Sequence, residues 1–236
     1  MGEIVIKSIS FLARKPGMTR EAFLDHWLNV HAPMWPTIPG LRGYVVNTIA
    51  QDHSRADVAG LGMAPFDGVA QLWYDDLEAR AHAGASAEGR AWHADGGTII
   101  GGIRTFVTEE QHVLPLAGPR PPIKALSIIQ RRPDHSSEQF QRYWRDVHGP
   151  MAKEVPEVRG FTLSGIVEEQ FRHDIEPLPM DGPVDGFAES WVDSLDARAR
   201  MVASPESRTW FADGATFLGK VKTVVLAERV LLPPPR

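Results

Sequence analysis

A chain of 236 residues can form one large domain or two small ones, and its 43% hydrophobic and 8% aromatic content is enough for a packed interior. The net charge is −5, with 9 Lys/Arg against 13 Asp/Glu up to residue 117 and 16 against 17 after it, so neither half offers a basic nucleic-acid surface. With no cysteine, the chain has no disulfides, thiolate nucleophiles or Cys-ligated metal centres. The start MGEIVIKSISFLARKPGM lacks the apolar run of a signal peptide, and no window approaches a membrane span; a soluble, cytoplasmic protein without a membrane partner is expected.

In chain order, Ile4 to Leu12 alternates and reads as a first strand. Thr19 is placed to cap a helix whose bulky face is Phe23, Trp27 and His31, and Pro33 is expected to stop that helix, leaving His31 at its end. The same spacing puts His26 and His31, five residues apart, on different faces. Strands follow at Arg42 to Ile49 and, after a polar loop at 51–65, at Val69 to Tyr74, introduced by Asp67-Gly68. Helices start at Asp75/Asp76 and at Ser86, and Ile103 to Thr108 is a fourth strand. The order β-α-β-β-α-β is the ferredoxin-like unit.

Beyond a linker at Pro115 to Pro122 the order repeats: strand Ile123 to Gln130, helix Ser136 to Val147 with a capping box at Ser136 and Gln139, and strand Arg159 to Val167. A loop at 169–183 leads to strand Phe187 to Val192, helices from Ser194 and Ser204, and strand Val221 to Ala227; the tail LLPPPR reads as frayed. Residues 19–44 and 136–161 align without a gap at an offset of 117, with 10 of 26 positions identical, including Trp27/Trp144 and His31/His148. Residues 67–101 and 185–219 align at an offset of 118 with 19 identities in 35. Domains at 1–115 and 123–236 are therefore expected. Each four-stranded sheet leaves one face bare, so the two should pack sheet-to-sheet as an intramolecular α+β barrel with a secluded interior.

The pattern F-x3-W-x3-H-x-P, then PGLRGY, FDGVAQLW and S-x-E-G-R-x-W, resembles the EthD family of the dimeric α+β-barrel superfamily, over nearly the whole chain and in two copies. The resemblance implies the fold firmly and the activity loosely, since that superfamily includes cofactor-free oxygenases, isomerases, cyclases, decarboxylases, dehydratases and haem proteins.

Candidate site residues are weighed against structural roles. His31 and His148 suit proton removal and return, or cap a turn. Tyr44 has a phenol for a developing oxyanion, which its counterpart Phe161 lacks; it reads equally as core. Arg42 and Arg159 read as carboxylate holders or surface ion pairs. Gln71 and Glu189 fall mid-strand between apolar neighbours and should face the barrel interior, where desolvation would raise the Glu189 pKa. Trp27, Trp73, Trp144 and Trp191 read as core or cavity wall, and His93, replaced by Phe211, as a site residue or an exposed helix-end cation. Asp95 and Asp213 read as local partners of Arg90 and Arg208. The loops 51–65 and 169–183 read as lids, with His53 and His173 solvated. No metal-ligand cluster or nucleotide fingerprint is present.

The expected activity is a cofactor-independent lyase or isomerase acting on a small apolar, aromatic or polyketide-like molecule in the barrel cavity. His31, Tyr44, His148 and Glu189 are the catalytic candidates, and Trp27, Arg42, Gln71, Trp73, His93, Trp144 and Trp191 the substrate-binding ones. Haem is the minority cofactor alternative, a non-catalytic binding module is the third reading, and a homo-oligomer remains open.

Overall fold

The computed structural model describes residues 5–53 and 57–235. The first half runs β1 (Ile6–Arg14), α1 (Arg20–His26), a π turn (Trp27–His31), a 3-10 turn (Ala32–Thr37), β2 (Gly43–His53), β3 (Ala59–Gly60), β4 (Gly68–Tyr74), α2 (Leu77–Ala85), α3 (Ala87–Ile99) and β5 (Ile100–Leu114). The second half runs β6 (Ile123–Arg131), α4 (Ser137–Tyr143), a π turn (Trp144–His148), α5 (Gly149–Met151), a 3-10 turn (Ala152–Glu154), β7 (Gly160–Gln170), β8 (Glu176–Pro177), β9 (Gly186–Val192), α6 (Leu195–Ala203), α7 (Pro205–Gly214) and β10 (Leu218–Leu232). Among the described residues no helix is long and apolar enough to cross a membrane.

Local chemistry sets these boundaries. The Thr19 hydroxyl accepts from the Ala22 amide, and the Ser136 and Gln139 side chains complete the capping box. Asp67 takes the Arg14 backbone amide and pairs with its guanidinium, as Asp185 does for Arg131. The next residue is glycine because a Cβ at Gly68 would lie 2.3 Å from the Trp27 ring. Two expectations fail. Helical backbone continues through Pro33, which is tolerated in the first turn of the 3-10 segment, so His31 ends the π turn and not the helix. The tail is not frayed either, since β10 runs to Leu232, paired with Tyr44, and Pro234 packs at Gly43.

Each half has the ferredoxin-like sheet, ordered β5-β1-β4-β2 and β10-β6-β9-β7. The 15-residue strands β5 and β10 outrun the sequence expectation because each serves two sheets. β10 pairs with β6 and with β2 of the other half, and β5 with β1 and with β7. The bare faces therefore do press together, and the sheet edges are also stitched by backbone hydrogen bonds, closing an eight-stranded antiparallel barrel with no free edge.

Its interior is filled. Ile9, Phe11, Phe106, Leu126, Phe187 and Leu226, among others, form one apolar cluster. Beside it lies a network of buried charges. Lys7 binds Glu110 at 2.7 Å and Glu189; Lys124 binds Glu228 at 2.7 Å, Glu189 at 3.0 Å and Gln71 at 2.5 Å; Gln71 donates to Glu189 at 2.7 Å. Trp73 donates to Glu110 and Trp191 to Glu228, which also binds Arg120. The cations Lys7, Lys124 and Arg120 thus balance the carboxylates Glu110, Glu189 and Glu228. Gln71, Glu189, Trp73 and Trp191 do face the interior, but they belong to this network and are in the wall of neither cavity beneath the helices. The expected Glu189 shift is reversed: burial would raise its pKa, but Lys124, Lys7 and the Gln71 hydrogen bond hold it well below the usual carboxylate range. Burial would likewise lower Lys7, but Glu110 and Glu189 raise it.

Gln71 and Glu189 are repeat equivalents that meet across the barrel, and two carboxylates there would repel. Glu189→Gln should destabilise the protein by about 3–5 kcal/mol, the usual cost of removing one partner of a buried ion pair. Gln71→Glu should also lower the melting temperature, while the double variant, which exchanges the two side chains, should recover most of the loss. Thermal melts of the three proteins check this; additive losses in the double variant would contradict it.

Candidate functional site

The open space lies on the other face of the sheet, beneath the helices. In the first half a cavity of about 620 Å³ separates β1, β2, β4 and β5 from α2 and α3. Strand alternation explains its walls: Lys7, Ile9 and Phe11 point into the barrel, whereas Ser8, Ser10 and Leu12 point to the cavity. Trp27, Tyr44, Leu72, Tyr74 and Trp92 form much of the remainder.

His31 is in this wall, 8% exposed. Its Nδ1 lies 2.8 Å from Asp95 Oδ2, and the other oxygen of Asp95 is 3.0 Å from His26 Nε2. Asp95 thus binds two histidines and not Arg90, whose guanidinium donates to the Ala85 carbonyl. His26 and His31 can share one carboxylate because a π turn, with its i→i+5 hydrogen bonds, brings residues five apart onto one face, contrary to the expectation from 3.6-residue periodicity. The imidazole stacks on Trp92, with centroids 5.3 Å apart and planes at 24°, and the Tyr44 ring meets the same indole edge-on at 5.6 Å. Gly96 admits this packing, since a Cβ there would lie 3.1 Å from His31 Cε1.

Burial lowers the His31 pKa to about 4, against the opposing pull of Asp95, so the ring is neutral near pH 7. With Asp95 as acceptor, Nδ1 carries the proton, and Nε2, which makes no hydrogen bond to a described residue, keeps its lone pair. Burial also raises the Tyr44 pKa, so its phenol stays protonated. The Tyr44 hydroxyl is buried without a hydrogen-bond partner among the described residues; the Trp27 indole opposes the rise but is not placed for a standard hydrogen bond.

The second half repeats the frame without the space. His148 Nδ1 lies 2.7 Å from Asp213, the Tyr143 hydroxyl takes the other oxygen at 2.6 Å, and the imidazole stacks on Trp210 at 5.5 Å. Only about 70 Å³ remains, because Ala83, Gly84, His93 and Ile99 are replaced by the larger Met201, Val202, Phe211 and Phe217; Phe161 stands in place of Tyr44 and lacks its hydroxyl. Trp144 and His148 line this remnant.

The loop at 169–183 does cover a cavity, but the other half's: residues 170–174 line the first-half cavity, where Arg172 donates to the His93 carbonyl at 2.9 Å. His173 is exposed there, whereas His53, half-buried, lines the second-half remnant and is not simply solvated. His93 sits exposed at the cavity edge, and Arg42 lies outside it, paired with Asp75 on the surface. Asp95, Trp92, Ser8 and Arg80 complete the site and were not singled out from sequence as site residues, although the matching Trp-x2-Asp of both copies was a signal. Among the described residues no cluster of three or more His, Asp or Glu side chains is placed to hold a metal ion.

The EthD domain family model matches residues 15–102 and 132–220. A 4-carboxymethyl-4-methylbutenolide mutase from Pseudomonas reinekei is 28% identical over 106 residues, which are 45% of this chain and 98% of that protein, so one repeat corresponds to a whole relative. A candidate monooxygenase from Fusobacterium nucleatum superposes with a TM-score of 0.65 at 9% identity, covering 100% of this chain and 98% of its own. An anthrone oxidase-like protein superposes at 0.62 with 14% identity, covering 97% and 94%. These two show the shared fold.

The His31 shift has a measurable sign. Because the folded pKa lies below the unfolded one, the neutral ring contributes stability above about pH 6.5 that is lost as pH falls toward 4. Nitrogen-15 NMR of the imidazoles should show His31 titrating near pH 4 and protonated at Nδ1 above that; titration near 6.5 would contradict the assignment.

Proposed function

Since the chain belongs to the EthD family and carries two copies of its domain, we propose that it is a cofactor-independent isomerase whose working site is the first-half cavity. Its substrate in this reading is a small, enolisable ring compound such as a butenolide. The observation that carries the proposal is the His31–Asp95 pair, with Nε2 open, on the wall of the larger of the two cavities. The mutase relative supports an isomerisation over the elimination and decarboxylation also expected from sequence.

The chemistry follows from the protonation states. Neutral His31 takes a proton from a carbon acid through Nε2, and Asp95 stabilises the imidazolium that forms while fixing its orientation. The Tyr44 hydroxyl, which lacks a partner among the described residues, donates to the oxygen on which the enolate charge accumulates. The imidazolium then returns the proton to a different carbon, so no electrons enter or leave. Trp92 and Trp27 supply the apolar walls that exclude water. Glu189, bound to two lysines in the barrel, takes no part as a base. His148 holds the second half together, its carbonyl accepting from the Trp210 indole at 3.2 Å.

The test is deuterium uptake from D2O into a substituted butenolide, followed by NMR together with isomer formation. His31→Ala should lose about 10²–10⁴-fold in rate, the usual contribution of a general base, and Tyr44→Phe about 10-fold or more, as for an oxyanion donor. His148→Ala should stay within about twofold, since it touches no substrate in this reading. Unchanged exchange in His31→Ala would remove the proposal. A Soret band in the purified protein, lost in His31→Ala, would replace it with a haem reading in which the same Nε2 is the axial ligand.

A further inference from the structure

Arg80 lies on α2 with its guanidinium in the wall of the first-half cavity, half-buried. Its Nε donates to Ser8 Oγ at 2.6 Å, and that is its one hydrogen bond among the described residues; no carboxylate lies within ion-pair distance. Glu168 acts on it from farther away and is itself engaged by Gln170, and the Tyr74 phenol and the His93 imidazole are also near enough to act on it. The other arginines of this cavity are occupied or outward: Arg172 is paired with Asp174, and exposed Arg90 donates to the Ala85 carbonyl. A guanidinium withdrawn from water without a counter-charge is costly unless an anion joins it. Burial correspondingly lowers the Arg80 pKa.

Ser8 fixes which edge of the fork is left. With Nε on the serine, the two Nη groups have no acceptor among the described residues, and they present a planar pair of donors of the kind that grips a carboxylate in bidentate fashion. The second half shows that the arrangement is not demanded by the fold. Arg198 occupies the equivalent position, but Ser8 is replaced by Ala125, the Arg198 Nε has no partner among the described residues, and only about 70 Å³ of space adjoins it. The serine, the arginine and the open volume occur together only in the first half.

We propose that Arg80, oriented by Ser8, is a carboxylate subsite of the first-half cavity, so that the substrate is a monoanionic carboxylic acid carrying an apolar ring. A carboxylate suits the site better than a phosphate because Arg80 alone among the three arginines of this wall has both Nη groups without an acceptor among the described residues. Arg172 is paired with Asp174 and Arg90 donates to the Ala85 carbonyl, and Leu72, Ala83 and Ile103 lie beside Arg80 in the same wall. The inference rests on the reading of this cavity as the substrate site and names its substrate class.

The test is isothermal titration calorimetry of the full-length protein with benzoate, phenylacetate and 3-phenylpropionate, each beside its neutral amide, and with phenylphosphonate. At least one acid should bind about tenfold or more tightly than its amide, as expected for a charge-assisted pair. Arg80→Gln should erase that preference, Arg80→Lys should keep part of it, and Arg198→Gln should leave it unchanged, with circular dichroism confirming that each variant is folded. His31→Ala should also keep it, so a failure of His31 in turnover with the preference intact would sink the catalytic reading and spare the subsite. Equal binding of acids and amides, no binding by any acid, an Arg80→Gln protein that keeps the preference, or tighter binding of phenylphosphonate than of every carboxylate would overturn the subsite.

Discussion

Glu189 sits between Lys7 and Lys124 at the centre of the barrel, and much of the molecule's organisation follows from that contact. Each lysine comes from the first strand of its own half, so the carboxylate ties the two repeats together from within. Charges withdrawn from water are tolerable there only because each finds an opposite partner and its remaining hydrogen-bonding capacity is used. The consequence for function is spatial. A barrel plugged by ion pairs at one level and by Phe11, Phe106 and Phe187 at another leaves its open space on the outer face of the sheet, under the helices, and the proposed site lies there.

Duplication within one chain gives that arrangement its asymmetry. Two identical subunits would bring the same residue from both sides to the meeting point of Gln71 and Glu189, whereas the fused chain places a donor against an acceptor. The same freedom separates the cavities. Met201, Val202, Phe211 and Phe217 fill in the second half what Ala83, Gly84, His93 and Ile99 leave open in the first. Both halves keep the histidine–aspartate pair and the stacked tryptophan, because these also anchor the π turn against α3 or α7. The second half contributes to the open site in another way: stitching of β5 to β7 carries residues 170–174 across the first-half cavity.

Much of the fold was legible in the sequence because the repeat, the caps at Thr19 and Ser136 and the Asp-Gly strand starts are local signals read with known spacings. The site was only half legible. His31 stood out by residue type and by its retention in both copies, and Tyr44 by contrast with Phe161. Asp95 did not, because its partner lies 64 residues away and is reached through a π turn that 3.6-residue spacing conceals. Glu189 was placed on the correct face, but its proton affinity was misjudged, since the lysines that reverse it arrive from two other strands by topology. Arg80 was not singled out, because only the fold shows the strand beneath it placing Ser8 against its Nε.

A ligand is expected to enter between the sheet and the helices of the first half, while the barrel centre and the second half stay closed. A crystal structure of the protein soaked with a ring-bearing carboxylic acid tests this most directly. Density beside His31 Nε2 with the carboxylate on Arg80 is the predicted result; density inside the barrel among Lys7, Lys124 and Glu189, or against His148, would contradict it.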